Sequence, residues 1–311
     1  MTFSQLATFV ALARAGSVRR AAEALVVTQP SVSAAISALS KELGVKLTEK
    51  AGRNIRLTAA GQAFLPFAVD VLGVLEQGKR AAREAVEASA LQVRIAAVTT
   101  AGEYLLPPLL QAFGACHPDI GLTLEVANRQ VVFQRVLDHE SDVAIAGRPP
   151  VETDRLDGRP FLRNDQVVIA APDDPLTRGR SVRVEELGNR TWLLREEGSG
   201  TRTMVEEFLD HHDLRPTTLT LGSNGAIKQG VRIGLGLSLQ SRIAVELELE
   251  SGTLSTIAVK GGLPARQWYV LRSSSGPIRP PVQAFFDFVA DEAQAAIEAA
   301  QRGSHGQARP S

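Results

Sequence analysis

The sequence predicts an α/β protein that begins with a helix-rich module and continues into a larger body of strands and helices. Three observations lead to this prediction. Residues 17–43 have the caps and apolar spacing of a helix-turn-helix, residues 58–88 have the apolar repeat of a long helix, and strand and helix patterns alternate from residue 92 onward. We therefore expect separate domains joined by a helix.

The first two helices are predicted from apolar spacing near the start of the chain. Apolar residues recur at three- and four-residue intervals and predict one buried helix face: Phe3, Leu6, Val10 and Ala13. Ser17 then stands where an N-cap is preferred, before a short helix that contains Ala21, Ala22 and Leu25.

The third helix follows a tight turn after Val27. Thr28 can cap it, Pro30 is tolerated in its first turn, and an inward stripe is predicted at Val32, Ile36, Leu39 and Leu43. Short polar side chains outside that stripe suit close approach to base edges in a DNA major groove. The candidate DNA-binding residues of this helix are Thr28, Gln29, Pro30, Ser31, Ser33, Ala34 and Ser37. A plain helical hairpin in an enzyme has the same periodicity, but the caps, the tight turn and the serine-rich face favour DNA binding.

The charge distribution agrees with this interpretation. The whole chain has 34 basic and 34 acidic residues, whereas residues 1–60 contain eight Lys and Arg against three Glu. A basic module on an acidic body suits phosphate binding, although an ordinary solvated surface has the same composition.

The long helix is predicted to start after the cap Thr58, with Pro66 near its start, and to reach about residue 88. Its apolar positions alternate at four and three residues, as in a coiled-coil seam: Phe64, Ala68, Val71, Leu75, Gly78, Ala82 and Ala85. A helix lying on a globular body would show the same face, but a seam of this length between two domains favours dimerisation.

Several classes of protein are disfavoured by composition. The single Cys116 excludes an intrachain disulfide, suits a reducing cytoplasm and is interpreted as a core residue. No apolar run approaches the roughly 20 residues that span a bilayer, and no leader-like segment opens the chain, so we expect no membrane partner. The tail 303–311 has no apolar pattern and is expected to be disordered.

Alternating patterns of strand and helix begin at residue 92 and predict parallel or mixed sheets. The predicted strands are VRIAAV, LTLEVA, DVAIAG, QVVIAAP, TWLLRE, LTLGS and WYVLRS. The predicted helices are 104–116, 131–137, 201–211, 224–233 and 281–301.

Candidate anion donors occur where strands are followed by helices. Thr99, Thr100 and Gly102 follow the first strand of this body, and Ser199 and Thr201 precede a later helix. Free N–H groups at helix starts bind anions, and Arg148 and Arg202 could add charge-assisted hydrogen bonds. The alternative is that Ser199 and Thr201 are only helix caps.

Enzyme interpretations find little support. Gly234 and Gly236 form half of a dinucleotide fingerprint, and GSGTR lacks the Gly-Lys-Ser/Thr ending of a phosphate-binding P-loop. Metal-capable groups at 210–213 diverge around a helix and are interpreted as a solvated helix end. We expect no catalytic residue, no metal and no cofactor. A solute-binding protein without DNA function is the main alternative, but it leaves residues 1–60 unexplained.

The chain resembles the LysR-type transcriptional regulators through GSVRRAAEAL, TQPSVSAAISAL, KELGVKL and RLTAAG. The resemblance implies a winged helix-turn-helix (1–58), a linker and dimerisation helix (59–90) and a two-lobed, periplasmic-binding-protein-like effector domain (91–302). Lobe one is expected at 92–162 and 266–302, with lobe two at 163–265. The implied wing spans Lys50 to Leu57, with Arg53 and Arg56 facing phosphates or the minor groove. The chain departs from the family at Thr48-Glu49-Lys50, where Phe-x-Arg is usual, and at Ala34, where a basic residue is common.

Within the family, the chain is most similar to regulators of carbon dioxide fixation (Calvin-cycle) operons. The residues that carry this likeness are ANRQ at 127–130, AGRPP at 146–150, REEGSGTR at 195–202, 222–242 and WYVLRSSSGPI at 268–278. The resemblance implies promoter DNA and a small anionic, phosphorylated effector as partners, and a homodimer that assembles into a homotetramer. It adds Asn128 to the effector-binding residues, to which Gly200 belongs by its place between Ser199 and Thr201. It also implies a cytoplasmic protein and leaves RNA polymerase open as a further partner.

Overall fold

The computed structural model forms two compact units. It describes residues 1–52, 54–87, 91–150, 154–179 and 181–306. The first unit contains residues 1–90 with the short segments 138–140 and 275–277, and the second unit contains the remaining residues.

The first unit is a helix-turn-helix with a β-hairpin wing and a long helix. Its elements are α1 (Phe3–Ala15), α2 (Val18–Leu25), α3 (Gln29–Leu43), β1 (Thr48–Ala51), β2 (Asn54–Leu57) and α4 (Ala59–Glu84). The two strands are antiparallel. Phe9, Val32, Leu39 and Leu47 are almost completely buried between the helices, so the predicted inward stripe of α3 forms part of this core. Leu47 is fully buried, whereas Thr48, the next residue, is only partly buried.

Helix α4 begins where the sequence predicts it. The Thr58 hydroxyl accepts a hydrogen bond from the N–H of Gly61 at 3.1 Å and donates one to the carbonyl of Lys46 at 2.6 Å. By length and composition alone, α4 is also long and apolar enough to cross a membrane. Polar residues such as Asp70, Glu76 and Gln77 interrupt the apolar positions of α4, so the helix contains no uninterrupted apolar run of about 20 residues.

The apolar positions of α4 divide between two faces. Phe64 and Ala68 pack into the core of the first unit, so these two residues of the predicted seam are engaged within the same chain. A different set of apolar and small residues is exposed along one side of the helix, at intervals of three, four and seven residues. This exposed stripe consists of Phe67, Val71, Gly78, Ala82 and Ala85.

The turn between α2 and α3 contains a strained residue. Val26 ends α2 with φ 55° and ψ 45°, the left-handed region, and its side chain is 91% exposed. A β-branched side chain is disfavoured in this region because its methyl groups crowd the backbone. Because the Val26 side chain is exposed, its packing offsets little of the free-energy cost of this conformation.

We expect Val26→Asn to stabilise the first unit by about 1 kcal/mol, because asparagine tolerates the left-handed region. This corresponds to a rise of about 4–8 °C in the melting temperature of a domain of this size. Scanning calorimetry of the full chain measures it. Val27→Asn is the matched control, since Val27 is adjacent, 46% exposed and without a positive φ. An equal effect of both substitutions would contradict the strain argument.

The second unit contains two lobes, of which the first is built on a five-stranded mixed sheet with the order β4-β3-β5-β12-β6. Its strands are β3 (Gln92–Val98), β4 (Gly121–Ala127), β5 (Val143–Ala146), β6 (Leu156–Asn164) and β12 (Arg266–Ser273). Strands β3, β4 and β5 are parallel, and β12 runs antiparallel to β5 and β6. The lobe also contains a π-helical turn at Ala101–Leu105 and helices α5 (Leu106–Cys116), α6 (Arg129–Leu137) and α10 (Pro280–Gly306). Phe113 and Phe285 pack edge to face in its core.

The second lobe contains a three-stranded antiparallel sheet, β10-β7-β11, and a parallel pair, β8-β9. Its elements are β7 (Gln166–Ala170), β8 (Trp192–Leu194), α7 (Gly200–His211), β9 (Thr218–Thr220), α8 (Asn224–Arg232), β10 (Ser238–Ser241), α9 (Glu246–Glu250) and β11 (Ser255–Ile257). Trp192 is fully buried in its core. The chain passes from the sheet of the first lobe to that of the second at Asp165, between β6 and β7.

Two expectations from the sequence need correction here. Cys116 is exposed rather than buried, because it is the last residue of α5 and lies beyond the core residue Phe113. Helix α10 continues to Gly306, so residues 303–306 of the predicted tail are helical, and residues 307–311 lie outside the described part of the chain.

Candidate functional site

The candidate DNA-binding face is the exposed side of α3. All seven residues predicted for this face are exposed, while Val32 and Ile36 turn inward. The Thr28 hydroxyl accepts a hydrogen bond from the N–H of Ser31 at 3.3 Å and lies 2.8 Å from the Ser31 hydroxyl. The first turn of α3 is therefore fixed by its cap, and the other polar side chains of the face are accessible.

The wing carries charged residues in the same unit. Glu49 and Arg56 are directly opposite on β1 and β2, and their side chains form an exposed ion pair at 2.6 Å. Such exposed pairs contribute little to stability, so a DNA phosphate can compete for Arg56. Arg53 lies outside the described residues.

The second unit contains a cavity of 920 Å³ lined by residues of both lobes, which we call the cleft. Its size suits a small metabolite. Seven of the nine residues predicted to bind an effector line it: Thr99, Thr100, Asn128, Arg148, Ser199, Gly200 and Thr201.

Gly102 and Arg202 were also predicted for this site, but the structure places neither in the lining of the cleft. Gly102 packs against the side chain of Val126, where a Cβ atom would lie only 2.5 Å from a methyl group, so glycine serves packing there. Arg202 forms an ion pair with Glu206 one turn further along α7, at 2.7 Å.

Two helices begin at the cleft. Ser199 occupies the N-cap position of α7 and is 5% exposed, yet its hydroxyl makes no capping hydrogen bond. The Asn128 side chain accepts a hydrogen bond from the N–H of Val131 at 3.0 Å and so caps α6. The first N–H groups of a helix have no partner within the helix and attract anions. At α6 the N–H groups of Val131 and Gln130 are already engaged, so an anion in the cleft would meet free N–H groups mainly at the start of α7.

A buried chain of hydrogen bonds joins the two lobes at the cleft. The amide of Asn224 on α8 donates to the hydroxyl of Thr100 at 3.3 Å, and its oxygen accepts from the Arg195 guanidinium at 2.6 Å. Arg195 also forms an ion pair with Glu196 at 2.7 Å. Thr100 is thus already engaged, although its own hydrogen can still be donated to a ligand.

The lobes also touch at one edge of the cleft, which we call the rim. The N–H of Gln130 at the start of α6 donates to the carbonyl of Gly198 at 3.4 Å. Gly198 has a left-handed φ of 81°, and a Cβ atom there would lie 3.2 Å from the Asn128 side chain. A Cβ atom on Gly200 would lie 3.3 Å from the Arg129 side chain. Glycines at both positions allow the backbone of the second lobe to approach the first.

Five arginines line the cleft: Arg129, Arg148, Arg163, Arg195 and Arg266. Only Arg148 was predicted, and it has no ion-pair partner among the residues that the structure describes. Burial lowers the pKa of Arg129, and the nearby positive charge of Arg266 lowers it further, whereas Glu207 opposes this. Arg266 forms an ion pair with Glu207. The cleft is therefore cationic, and an anion would relieve the repulsion between Arg129 and Arg266.

A cluster of uncharged polar residues lines the cleft where the chain crosses between lobes, and we call it the cleft floor. It consists of Asn164, Gln166 and Ser241, beside Trp268. These residues were not predicted from the sequence, because they come from three separate elements. The run of Asn, Asp and Gln at 164–166, where one strand ends and the next begins, is the local signal that could have indicated two of them.

The metal-capable residues at the end of α7 have ordinary partners. Arg215 forms exposed ion pairs with Asp210 at 2.9 Å and Asp213 at 3.5 Å, which agrees with a solvated helix end. Within the described residues, no group of three or more His, Cys, Asp or Glu is arranged to hold a metal ion.

Comparison with known protein families gives two matches. The bacterial regulatory helix-turn-helix protein, lysR family, matches residues 3–62, and the LysR substrate binding domain matches residues 87–294. The first match covers the helix-turn-helix and the wing, and the second covers both lobes of the cleft.

Individual relatives agree with these matches. The HTH-type transcriptional activator CmpR of Synechocystis is 37% identical over 289 residues, or 93% of this chain and 94% of that protein. The RuBisCO operon transcriptional regulator of Allochromatium vinosum is 36% identical and covers 94% of this chain and 97% of its own. Among solved structures, the Synechocystis CcmR regulatory domain in complex with 2-PG has a TM-score of 0.61 and 33% identity. It covers 65% of this chain and 98% of its own.

Proposed function

The chain belongs to the LysR family of transcriptional regulators, and we propose that it binds promoter DNA as an oligomer under the control of a small anionic metabolite. The family resemblance stated from the sequence is thereby confirmed, including the likeness to regulators of carbon dioxide fixation. The function divides between the two units of the structure, which carry the DNA-binding face and the cleft.

The DNA-binding part of the proposal rests on α3 and on charge. Gln29, Ser33 and Ser37 are exposed on the face predicted to enter the major groove. The excess of Lys and Arg over Glu in residues 1–60 supplies the salt-dependent attraction to phosphates. Arg56 contributes to phosphate binding from the wing.

The oligomer is proposed to form first through α4. The exposed stripe that starts at Phe67 and Val71 offers an apolar surface to the same helix of a second copy. Effector domains then pair these dimers into a homotetramer. Two recognition helices held together read a two-fold symmetric site more tightly than one helix alone.

The single observation that carries the effector assignment is the composition of the cleft. The start of α7 at Ser199 lies at the cleft with Arg148, which has no ion-pair partner among the described residues, and the hydroxyl of Ser199 is not used in capping. This arrangement binds a phosphate better than an uncharged molecule. Gly200 and Thr201 contribute N–H groups from the first turn of α7.

The names of the relatives indicate a more specific biological role for this protein. One relative is named for the RuBisCO operon, and the related CcmR domain was solved with 2-PG. We therefore propose that the metabolite is phosphorylated and that the target genes belong to carbon metabolism. Because DNA is the partner, the protein is proposed to act in the cytoplasm, by binding alone and without a chemical reaction.

The match to a helix-turn-helix family over residues 3–62 favours this function over that of a solute-binding protein. A solute-binding protein would use the same kind of cleft but would have no role for α3 and the wing.

Replacing Arg148 by alanine tests the anion assignment. A ligand that binds the native state raises the melting temperature by mass action. We expect a rise in a thermal-shift panel of 2-PG, ribose 5-phosphate and inorganic phosphate, and about tenfold weaker binding in Arg148→Ala, since a charge-assisted hydrogen bond is lost. Arg178→Ala, an exposed arginine outside the cleft, is the control. Stabilisation that survives Arg148→Ala, or none with any anion, would show that the cleft is not an anion site.

A further inference from the structure

A short turn after α6 is seated on the long helix of the first unit. Residues 138–140, which we call the clasp segment, belong to the first unit, although α6 before them and β5 after them belong to the second. The side chain of the central residue, His139, is 1% exposed and lies against α4. The clasp segment is outside both the DNA-binding face and the lining of the cleft.

Polar groups of α4 hold both nitrogens of the His139 ring. Nε2 lies 3.0 Å from Oδ1 of Asp70, and Nδ1 lies 2.8 Å from Nε2 of Gln77. A carboxylate only accepts hydrogen bonds, so Nε2–H donates to Asp70, and Nδ1 of the neutral ring accepts from Gln77. Asp70 and Gln77 are two turns apart on one face of α4, so the ring is fixed from both sides.

Gly73 makes room for this ring. It lies between Asp70 and Gln77 on α4, and a Cβ atom there would lie only 2.1 Å from Cδ2 of His139. Glycine in the interior of a helix is less stable than alanine, so its presence needs a reason. The close approach of the His139 ring supplies that reason. Helix α4 therefore gives up stability at this position to receive the clasp segment.

The backbone of the clasp segment is also shaped for this contact. His139 has a left-handed φ of 57°, which residues other than glycine rarely adopt and which costs free energy. The residues on either side of it form ion pairs with Arg14 of α1, Asp138 at 2.9 Å and Glu140 at 3.6 Å. The clasp segment thus contacts the long helix and the first helix of the DNA-binding unit. Strained residues of this kind are concentrated at functional sites.

The clasp segment is firmly attached to α6. The N–H of Ser141 donates to the carbonyl of Arg135 at 3.1 Å, which closes the chain between them into a tight turn. Helix α6 is nine residues long and starts at Arg129, which lines the cleft together with Asn128. A helix of this length is a rigid rod of about 13 Å. A change at its start is therefore transferred to the clasp segment at its end.

We propose that His139 is a positioning residue that couples the cleft to the DNA-binding unit. The inference rests on the proposed anion-binding function of the cleft. An anion in the cleft fixes the start of α6, and α6 then holds the clasp segment on α4. With the cleft empty, the clasp segment separates from α4 more often, so the middle of α4 is less protected. Val71 of the exposed stripe is next to Asp70, so the clasp segment stiffens the part of α4 that is proposed to join two copies.

Hydrogen–deuterium exchange of the full-length protein, measured by mass spectrometry, tests this coupling. The probes are the anions of the thermal-shift panel, 2-PG, ribose 5-phosphate and inorganic phosphate, each at a saturating concentration. We expect an anion that binds to slow exchange at the start of α7, which lines the cleft. We also expect it to slow exchange about fivefold or more in residues 70–77 of α4, which belong to the other unit.

Two variants release the clasp segment in different ways. Gly73→Ala places a Cβ atom where the His139 ring lies, and His139→Asn removes the ring but keeps a residue that tolerates the left-handed region. In both variants the anion should still slow exchange at α7, whereas the response of residues 70–77 should be lost. Gly114→Ala is the matched control, since a Cβ atom on this glycine of α5 meets nothing within 4 Å, and it should keep both responses.

A contact that only stabilises the first unit would give a different pattern. The two variants would then speed exchange in α4, but an anion would leave residues 70–77 of the unmodified protein unchanged. The inference is wrong if that pattern is found, or if the response of residues 70–77 persists in either folded variant. If Gly73→Ala does not fold, His139→Asn alone decides.

The readout at α7 separates this inference from the proposed function. If an anion slows exchange at α7 but residues 70–77 do not respond, the inference fails and the proposed function stands. If no anion of the panel slows exchange in either unit, the proposed function fails and the inference fails with it.

Discussion

Asp142→Ala is expected to lower the free energy of unfolding of the second unit by about 3–5 kcal/mol, the cost of breaking a buried ion pair. The Asp142 side chain is 3% exposed and lies 2.9 Å from Arg94 and 3.0 Å from Arg279, whose own side chain is 4% exposed. Removing the carboxylate leaves two positive charges where burial makes them expensive. Asp157, which pairs with Arg272 on the surface of the same sheet, is the control, and Asp157→Ala should cost less than about 1 kcal/mol.

Tryptophan fluorescence of the full chain measures this effect selectively. Both tryptophans of the protein, Trp192 and Trp268, are buried in the second unit, so their signal follows the unfolding of that unit. If Asp142→Ala and Asp157→Ala lowered the free energy of unfolding equally, burial of the ion pair would not determine how much it contributes to stability.

The same carboxylate predicts a dependence on pH. Burial raises the pKa of Asp142, but hydrogen bonds from Arg94 and the charges of Arg94 and Arg279 outweigh it and hold the pKa below its ordinary value. A lowered native pKa means that the ionised carboxylate stabilises the fold. This contribution is complete above the ordinary aspartate pKa and is lost as the pH falls through the lowered native value. Asp142→Asn should therefore remove part of the acid sensitivity of the tryptophan signal.

Phe67→Glu is expected to separate the oligomer at α4 and to weaken binding to a two-fold symmetric promoter site by about 100-fold or more. Phe67 is 68% exposed, so the substitution leaves the core of the first unit intact, but it would bury an unpaired charge between two copies of the helix. Light scattering and mobility shifts of the full-length protein measure the two effects.

Gln62→Glu provides the control for this charge change. Gln62 is exposed on α4 but outside the exposed stripe, so its substitution by glutamate should change neither mass nor affinity appreciably. If Phe67→Glu keeps the mass of the unmodified protein, the exposed stripe is not an interface between copies.

Local signals in the sequence predicted most of the helices. Thr28 and Thr58 cap α3 and α4 as expected, because a hydroxyl at an N-cap acts on the N–H groups next to it. The buried strands β3 and β5 were predicted for a similar reason, since they are short, almost continuously apolar runs.

Strands that depend on their neighbours were missed. Strand β6 contains Gly158 and Pro160 and alternates poorly, yet it pairs along its length with β12 at the edge of the sheet. Proline is tolerated there because an edge strand has one side without partners. Strands β10 and β11 are short and form only because β7 lies between them.

The residues of the cleft also divide into those that the sequence could predict and those that it could not. Residues next to a strand end or helix start, such as Thr99 and Ser199, could be predicted to lie at the cleft because their place follows from the local chain. Arg129, Gln166 and Arg266 could not, since they are far apart in the sequence and only the folded second unit brings them to one cleft.

The rim has a consequence for the duration of the response. Gly198 and Gly200 let the second lobe rest against the start of α6, so backbone closes one edge of the cleft. A molecule in the cleft cannot leave across that edge unless the lobes separate, so its path to solvent is narrowed. A response under the control of the proposed effector would then follow a change in effector concentration with a delay.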